Sequence, residues 1–196
     1  MTLETYAALA ARILAGAPRC GHTRLVAVDG PGGAGKSVFA RRLAARLGGA
    51  PVVHTDDFAS LDNRLDWWPL LEGQVLEPLG AGRAGRFRRY DWDDSALAEW
   101  VEVPAAGTVV IEGVSSARAA VADRLSCAIW IETAPAVRLR RGLDRDGDGA
   151  LPLWQEWMAE EDRHYDRDRT ALRADVVVDG NSAIQYDLDT AFSRLR

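Results

Sequence analysis

The stretch Gly30-Pro31-Gly32-Gly33-Ala34-Gly35-Lys36-Ser37 satisfies the pattern GxxxxGK[ST], and the chemistry it offers is phosphate binding. Glycines let a backbone wrap closely round a polyphosphate, and the start of a following helix presents unpaired N–H groups to it. Gly30, Gly32, Gly33, Ala34, Gly35, Lys36, Ser37 and Val38 are therefore the expected nucleotide-binding residues. Lys36 adds a compact charge, and the Ser37 hydroxyl is suited to magnesium. Lys36 is also the only lysine among 24 cationic residues. Arginine serves everywhere else in the chain, and a planar guanidinium does not replace an ammonium here.

Two further groups of acids stand where such a loop needs them. His54-Thr55-Asp56-Asp57-Phe58 follows an apolar run, and Ile111-Glu112-Gly113 ends another. A transfer to an alcohol requires a carboxylate that orients the hydroxyl and accepts its proton, and Asp56 is placed for that role. Glu112, with Ser37 and Asp56, is the expected metal set. A GTPase would carry an [NT]KxD base-reading motif, which a chain with one lysine cannot supply.

These residues need a scaffold that brings them together. Short, unbroken Val- and Ile-rich runs at 24–29, 51–55, 108–112, 127–132 and 175–179 read as strands buried on both faces. Helical patterns are expected at 2–16, 36–48, 94–102, 115–124, 134–145, 152–169 and 185–195. The alternation predicts an α/β, three-layer P-loop NTPase fold in one domain, 1–196, with a parallel sheet of about five strands. Ligands of such sheets gather at the carboxyl ends of the strands, so the loop and both acids should share a crevice. Residues 60–93 break the rhythm and are expected to form an acceptor-binding insertion.

Composition narrows the function. A net charge of −5 gives no overall basic field for nucleic acid or an anionic membrane. Cys20 and Cys127 lack disulfide or zinc spacing, and no apolar run reaches the roughly 20 residues of a membrane span. Residues 1–18 read as an amphipathic helix rather than a signal peptide, so a cytoplasmic location is expected.

Taken with Asp56-Asp57-Phe58 after the second strand, Glu112-Gly113 after the third and the arginine-rich run Arg138 to Asp146 after the fourth, the P-loop resembles the uridine kinase-like P-loop kinases. That family is related to phosphoribulokinase and bacterial pantothenate kinase. The resemblance implies ATP and Mg2+ as donor and cofactor, Asp56 as catalytic base, and a lid at about 138–150. Arg138, Arg141 and Arg145 recur at helical spacing, and Arg141 and Arg145 are the expected arginine fingers, acting with Lys36. Arg163 and Arg169 are further candidates for the same lid or its closure partner.

The acceptor is expected to be a small-molecule hydroxyl, contacted by Asp57, Phe58, Arg88, Tyr90 and Trp92. Uridine or cytidine is one expectation, and a sugar, vitamin precursor or natural product is another. A third, from a different class, is a non-catalytic ATP-binding switch. Arg83, Arg86, Arg88 and Arg89 suit an anionic acceptor, whereas the neighbouring aromatics suit a nucleoside; the sequence leaves both open. Asp144-x-Asp146-x-Asp148-Gly149 copies the opening of a calcium loop, but position twelve is Gln155 rather than Glu and Pro152 intervenes. Trp67 and Trp68 read as packing residues ahead of ring-stacking ones, and Trp100, Trp130, Trp154 and Trp157 as packing residues.

Overall fold

The computed structural model describes all residues except 61, 62, 64 and 184. Five parallel strands form the centre of the sheet: β2 (Thr23–Asp29), β3 (Val52–His54), β6 (Gly107–Glu112), β7 (Leu125–Glu132) and β8 (Val176–Asp179). Two short antiparallel strands, β1 (Thr2–Thr5) and β9 (Ala191–Arg194), extend it beyond β8. The order β1-β9-β8-β7-β2-β6-β3 makes seven strands where five were expected.

The difference arises at the two ends of the chain. The pattern at 2–16 is a helix only from α1 (Tyr6–Ala15), started by the Thr5 hydroxyl, which accepts the Ala8 N–H. The helix expected at 185–195 is instead strand β9. It covers the edge of β8 and drops Phe192 into a ring cluster with Tyr6 and Phe39, so long-range packing overrides the local pattern.

Two cores lie on opposite faces of the sheet. Helix α1 and helix α2 (Lys36–Arg46) bury Leu9, Ile13, Phe39 and Leu43 on one face. The other face is covered by the connection from β3 to β6. Its helical stretch runs through α3 (Trp68–Leu71), a π turn (Glu72–Leu76) and α4 (Glu77–Gly80), and it packs Trp67, Leu71, Val75, Leu76 and Leu79 on Leu25 and Ile111.

That connection ends in an antiparallel hairpin, β4 (Gly85–Asp91) with β5 (Ala96–Val103). The second strand replaces the helix expected at 94–102. Val101 stands opposite Phe87 and Val103 opposite Gly85, so period-two alternation, not helical spacing, meets the core.

The remaining helices lie beyond β7. They are α5 (Pro135–Asp146), a 3-10 turn at Asp148–Ala150, α6 (Leu151–Asp168) and the short α7 (Thr170–Arg173). At 115–124 only a 3-10 turn at Ala119–Arg124 forms. Ser115 takes φ +61°, which a helix cannot contain, and its N–H and that of Ala117 are bonded to the Asp29 carboxylate. No helix among the described residues is long and apolar enough to cross a membrane.

Candidate active site

Strand β2 is buried almost throughout and ends in Asp29, after which the chain turns into Gly30–Gly35 and enters α2 at Lys36. The turn depends on glycine where other backbone presses on it. Gly33 has φ +74°, and a side chain there would meet the Arg138 carbonyl at 2.6 Å. Gly35 takes φ +102° at the N-terminus of α2. Lys36 is buried, with Nζ donating to the Pro31 carbonyl at 3.0 Å.

The expected acids converge on this loop. Ser37 Oγ donates to Glu112 Oε1 at 3.1 Å, and His54 Nδ1 lies 2.7 Å from Glu112 Oε2. The hydrogen bond to Glu112, ahead of the opposing effect of burial, raises the His54 pKa. Parallel pairing sets this meeting, because Glu112 of β6 is in register with Val28 of β2 and His54 of β3. Gly113 follows at φ +139°, where a Cβ would fall 1.8 Å from Thr55 Oγ1. The Glu-Gly pair is thus a carboxylate followed by the one residue that fits beside the next strand's end.

Asp56 sits on the turn after β3 and faces the same cavity, of about 150 Å³, as Gly32, Lys36, Ser37, Glu112 and Arg145. The walls of the cleft crowd its carboxyl, and that desolvation raises its pKa while Lys36 opposes the shift. Trp92 fixes the turn by donating Nε1–H to the Asp56 carbonyl at 3.1 Å.

The three arginines on α5 diverge. Arg138 is buried behind the loop, with Nη1 3.5 Å from Glu161 Oε2. Arg141 donates to the Gly33, Ala34 and Gly180 carbonyls at 3.3, 3.4 and 3.0 Å, so it ties the loop to the chain after β8 instead of reaching over Asp56. Arg145 does line the Asp56 cavity, paired with Asp146 at 2.7 Å and 5.7 Å from the centre of the Trp154 ring. The stretch expected as a lid therefore contains an α-helix packed against the phosphate loop, and only its last turn borders the cavity.

The expected acceptor residues separate in the same way. Phe58 turns into the core, 4.5 Å from Phe87 between ring centres. Asp57, Phe58, Arg88 and Tyr90 line a separate cavity of about 380 Å³, where burial raises the Asp57 carboxyl to about 6. Trp92, from the turn of the hairpin, reaches the Asp56 carbonyl.

Two acids missing from the expected set complete the site. Asp29 is fully buried and accepts from the Gly30, Ser115 and Ala117 N–H groups and the Tyr165 hydroxyl, at 2.6, 2.9, 2.7 and 2.8 Å. Burial outweighs these bonds and raises it to about 6. Glu161 accepts the Gly32 N–H through both oxygens, at 3.1 and 3.0 Å, and burial raises it to about 7 against the pull of Lys36. Its carboxylate faces the charges of Lys36 and Arg138. A signal was available in the sequence: Trp154, Trp157, Glu161 and Tyr165 are spaced three, four and four apart, which is one face of a helix. That face of α6 lies across the cleft.

The donor set suits a nucleotide and a hard cation. Lys36 and the start of α2 fit phosphate oxygens, and Ser37 and Glu112 are oxygen ligands of the kind Mg2+ takes. No group of three or more His, Cys, Asp or Glu among the described residues could hold a metal by itself. A cation here would complete its shell with phosphate oxygens and water. On the other side of the loop, a cavity of about 400 Å³ between Val38, Arg141, Gly180, Asn181 and Tyr186 has room for the rest of a nucleotide.

The arrangement of this sheet and its helices is shared with solved structures. One, from Silicibacter sp. TM1040 and named as a candidate fructose transport system kinase, superposes with a TM-score of 0.67 at 21% identity, over 84% of this chain and 95% of that one. Another, named as a possible uridine kinase from Bacillus stearothermophilus, gives 0.61 at 20% identity, over 86% and 94%. The chain has the fold of these two structures. No protein-family model matches the sequence, and no curated protein matches it.

Proposed function

We propose that the protein is an ATP- and magnesium-dependent kinase that transfers the γ-phosphoryl group to a hydroxyl of a small molecule. The observation that carries this reading is the convergence of Lys36, Ser37, Glu112 and Asp56 on one cavity at the carboxyl edge of the sheet. A protein that only bound nucleotide would have no use for a crowded carboxylate facing the phosphate loop.

The residues divide the work by position. The loop amides and Lys36 hold the transferred phosphate and its neighbour, and Ser37 with Glu112 hold the cation, which supplies charge neutralisation on the phosphates. Asp56 orients the acceptor hydroxyl and takes its proton as the oxygen attacks phosphorus in line. Its raised pKa favours that task, because a carboxylate pressed by desolvation is a stronger base than a solvated one. Arg145 faces developing charge on the transferred group, whereas Arg141 keeps the loop's shape.

The decisive experiment is acceptor-dependent ADP formation with ATP and Mg2+, using nucleosides, sugars, pantothenate and amino alcohols, beside Asp56→Asn. Turnover that needs both acceptor and Asp56 supports the reading. Undiminished turnover in Asp56→Asn would remove the proposed mechanism.

A further inference from the structure

The Asp56 cavity has a composition that bears on what can enter it. Beyond the phosphate loop its walls are Trp67, Val114, Leu153, Trp154 and Trp157, and Trp92 of the hairpin packs on Trp157 with ring centres 6.0 Å apart. Its charged lining is Asp56, Glu112, Asp146 and Glu161 against Lys36 and Arg145, so four acids face two cations. Arg145 is already paired with Asp146, and Lys36 belongs to the phosphates.

The arginines that would welcome an anionic acceptor are occupied elsewhere. Arg86 stacks on Trp100 at 4.2 Å. Arg88 donates to the Ala98 carbonyl at 2.8 Å and to the Leu97 carbonyl, and Arg89 bridges Glu99 and Asp91, each at 2.8 Å. All three fasten one hairpin strand to the other or to its turn. None of Arg83, Arg86, Arg88 and Arg89 lines the Asp56 cavity.

We infer that the acceptor is an alcohol that carries no negative charge and lays a ring or apolar body against Trp154 and Trp157. This rests on the kinase reading and goes further, since that reading is neutral about the acceptor's charge. An acceptor with its own phosphate or carboxylate would enter a pocket with an excess of acid and no free guanidinium, beside the phosphates of the donor. The indole faces suit a neutral ring, and they equally suit an ammonium-bearing alcohol, which the acid excess would also attract.

Matched pairs test the inference on the unaltered protein. Pantothenol and pantothenate differ in a neutral against an anionic end, and uridine and its 3′-monophosphate differ likewise; a ring-bearing amino alcohol forms the cationic arm. The neutral member of a pair that is turned over should exceed the anionic member in kcat/KM by about tenfold or more. Trp157→Leu should raise KM for that acceptor by about tenfold.

Preference for the cationic arm over the neutral one also upholds the inference and names the source of attraction. An anionic member used as well as its partner overturns it, and if that turnover still needs Asp56 the kinase reading survives. Nucleotide binding without turnover of any compound counts against both.

Discussion

The two ends of the cleft were built by different means. At the phosphate end, Gly30 to Val38 are consecutive, and their roles follow from a turn and the start of one helix. At the acceptor end, Asp56, Trp67, Trp92, Leu153 and Trp157 come from segments up to about a hundred residues apart and meet only through packing. A local motif fixes its own geometry, whereas a pocket assembled from a connection, a hairpin and a helix takes its chemistry from how those pieces dock. Substitutions on either side should separate accordingly.

The largest effect is expected at the junction of the two ends. Asp56→Asn should lower kcat by about 10²- to 10⁴-fold with little change in nucleotide affinity, measured by steady-state turnover and by calorimetry with ATP. A comparable loss of affinity would assign Asp56 to the phosphate end instead.

Phe58→Ala comes next and acts on stability. Removing a core ring between Phe87 and Trp67 should cost about 3 kcal/mol or more in chemical denaturation. A stable variant with a raised acceptor KM would return Phe58 to the acceptor.

Glu161→Gln probes the phosphate end. Gln keeps an oxygen for the Gly32 N–H but removes the charge that competes with phosphate, so ADP should bind about tenfold more tightly at pH 8, as titration calorimetry would show. Weaker binding would make Glu161 a brace that the loop requires.

The same variant carries a pH signature. A carboxyl raised to about 7 contributes stability at low pH that is lost as pH rises through 7. Asp29 and Asp57, each raised to about 6, act in the same direction at lower pH. Thermal melts of the nucleotide-free protein should fall between pH 5 and 8, and Glu161→Gln should flatten chiefly the upper part of that fall.

The smallest effect is expected at Arg88. Arg88→Gln should change stability by less than about 1 kcal/mol and leave acceptor charge preference where it was, because its guanidinium serves Leu97 and Ala98 of the hairpin. Loss of an acceptor with this substitution would move the acceptor to the cavity beside Asp57.

The sequence by itself determined the core of the fold and the residues that meet at the carboxyl edge of its sheet. Five parallel strands follow from unbroken apolar runs that must be buried on both faces, and the loop, Ser37, Asp56 and Glu112 follow from motifs at strand ends. Tertiary structure decided the rest. The helices expected at 94–102 and 185–195 are strands, because a hairpin partner and an open sheet edge outweighed local preference. Three arginines at one helical spacing took three roles, because a helix docked on a curved loop gives each turn a different neighbour. Glu161 and the tryptophans of α6 could be aligned on one face by counting, but only docking shows that this face closes the cleft. Spacing along a chain sets which side chains share a face; what that face meets is fixed by contacts between residues far apart in sequence.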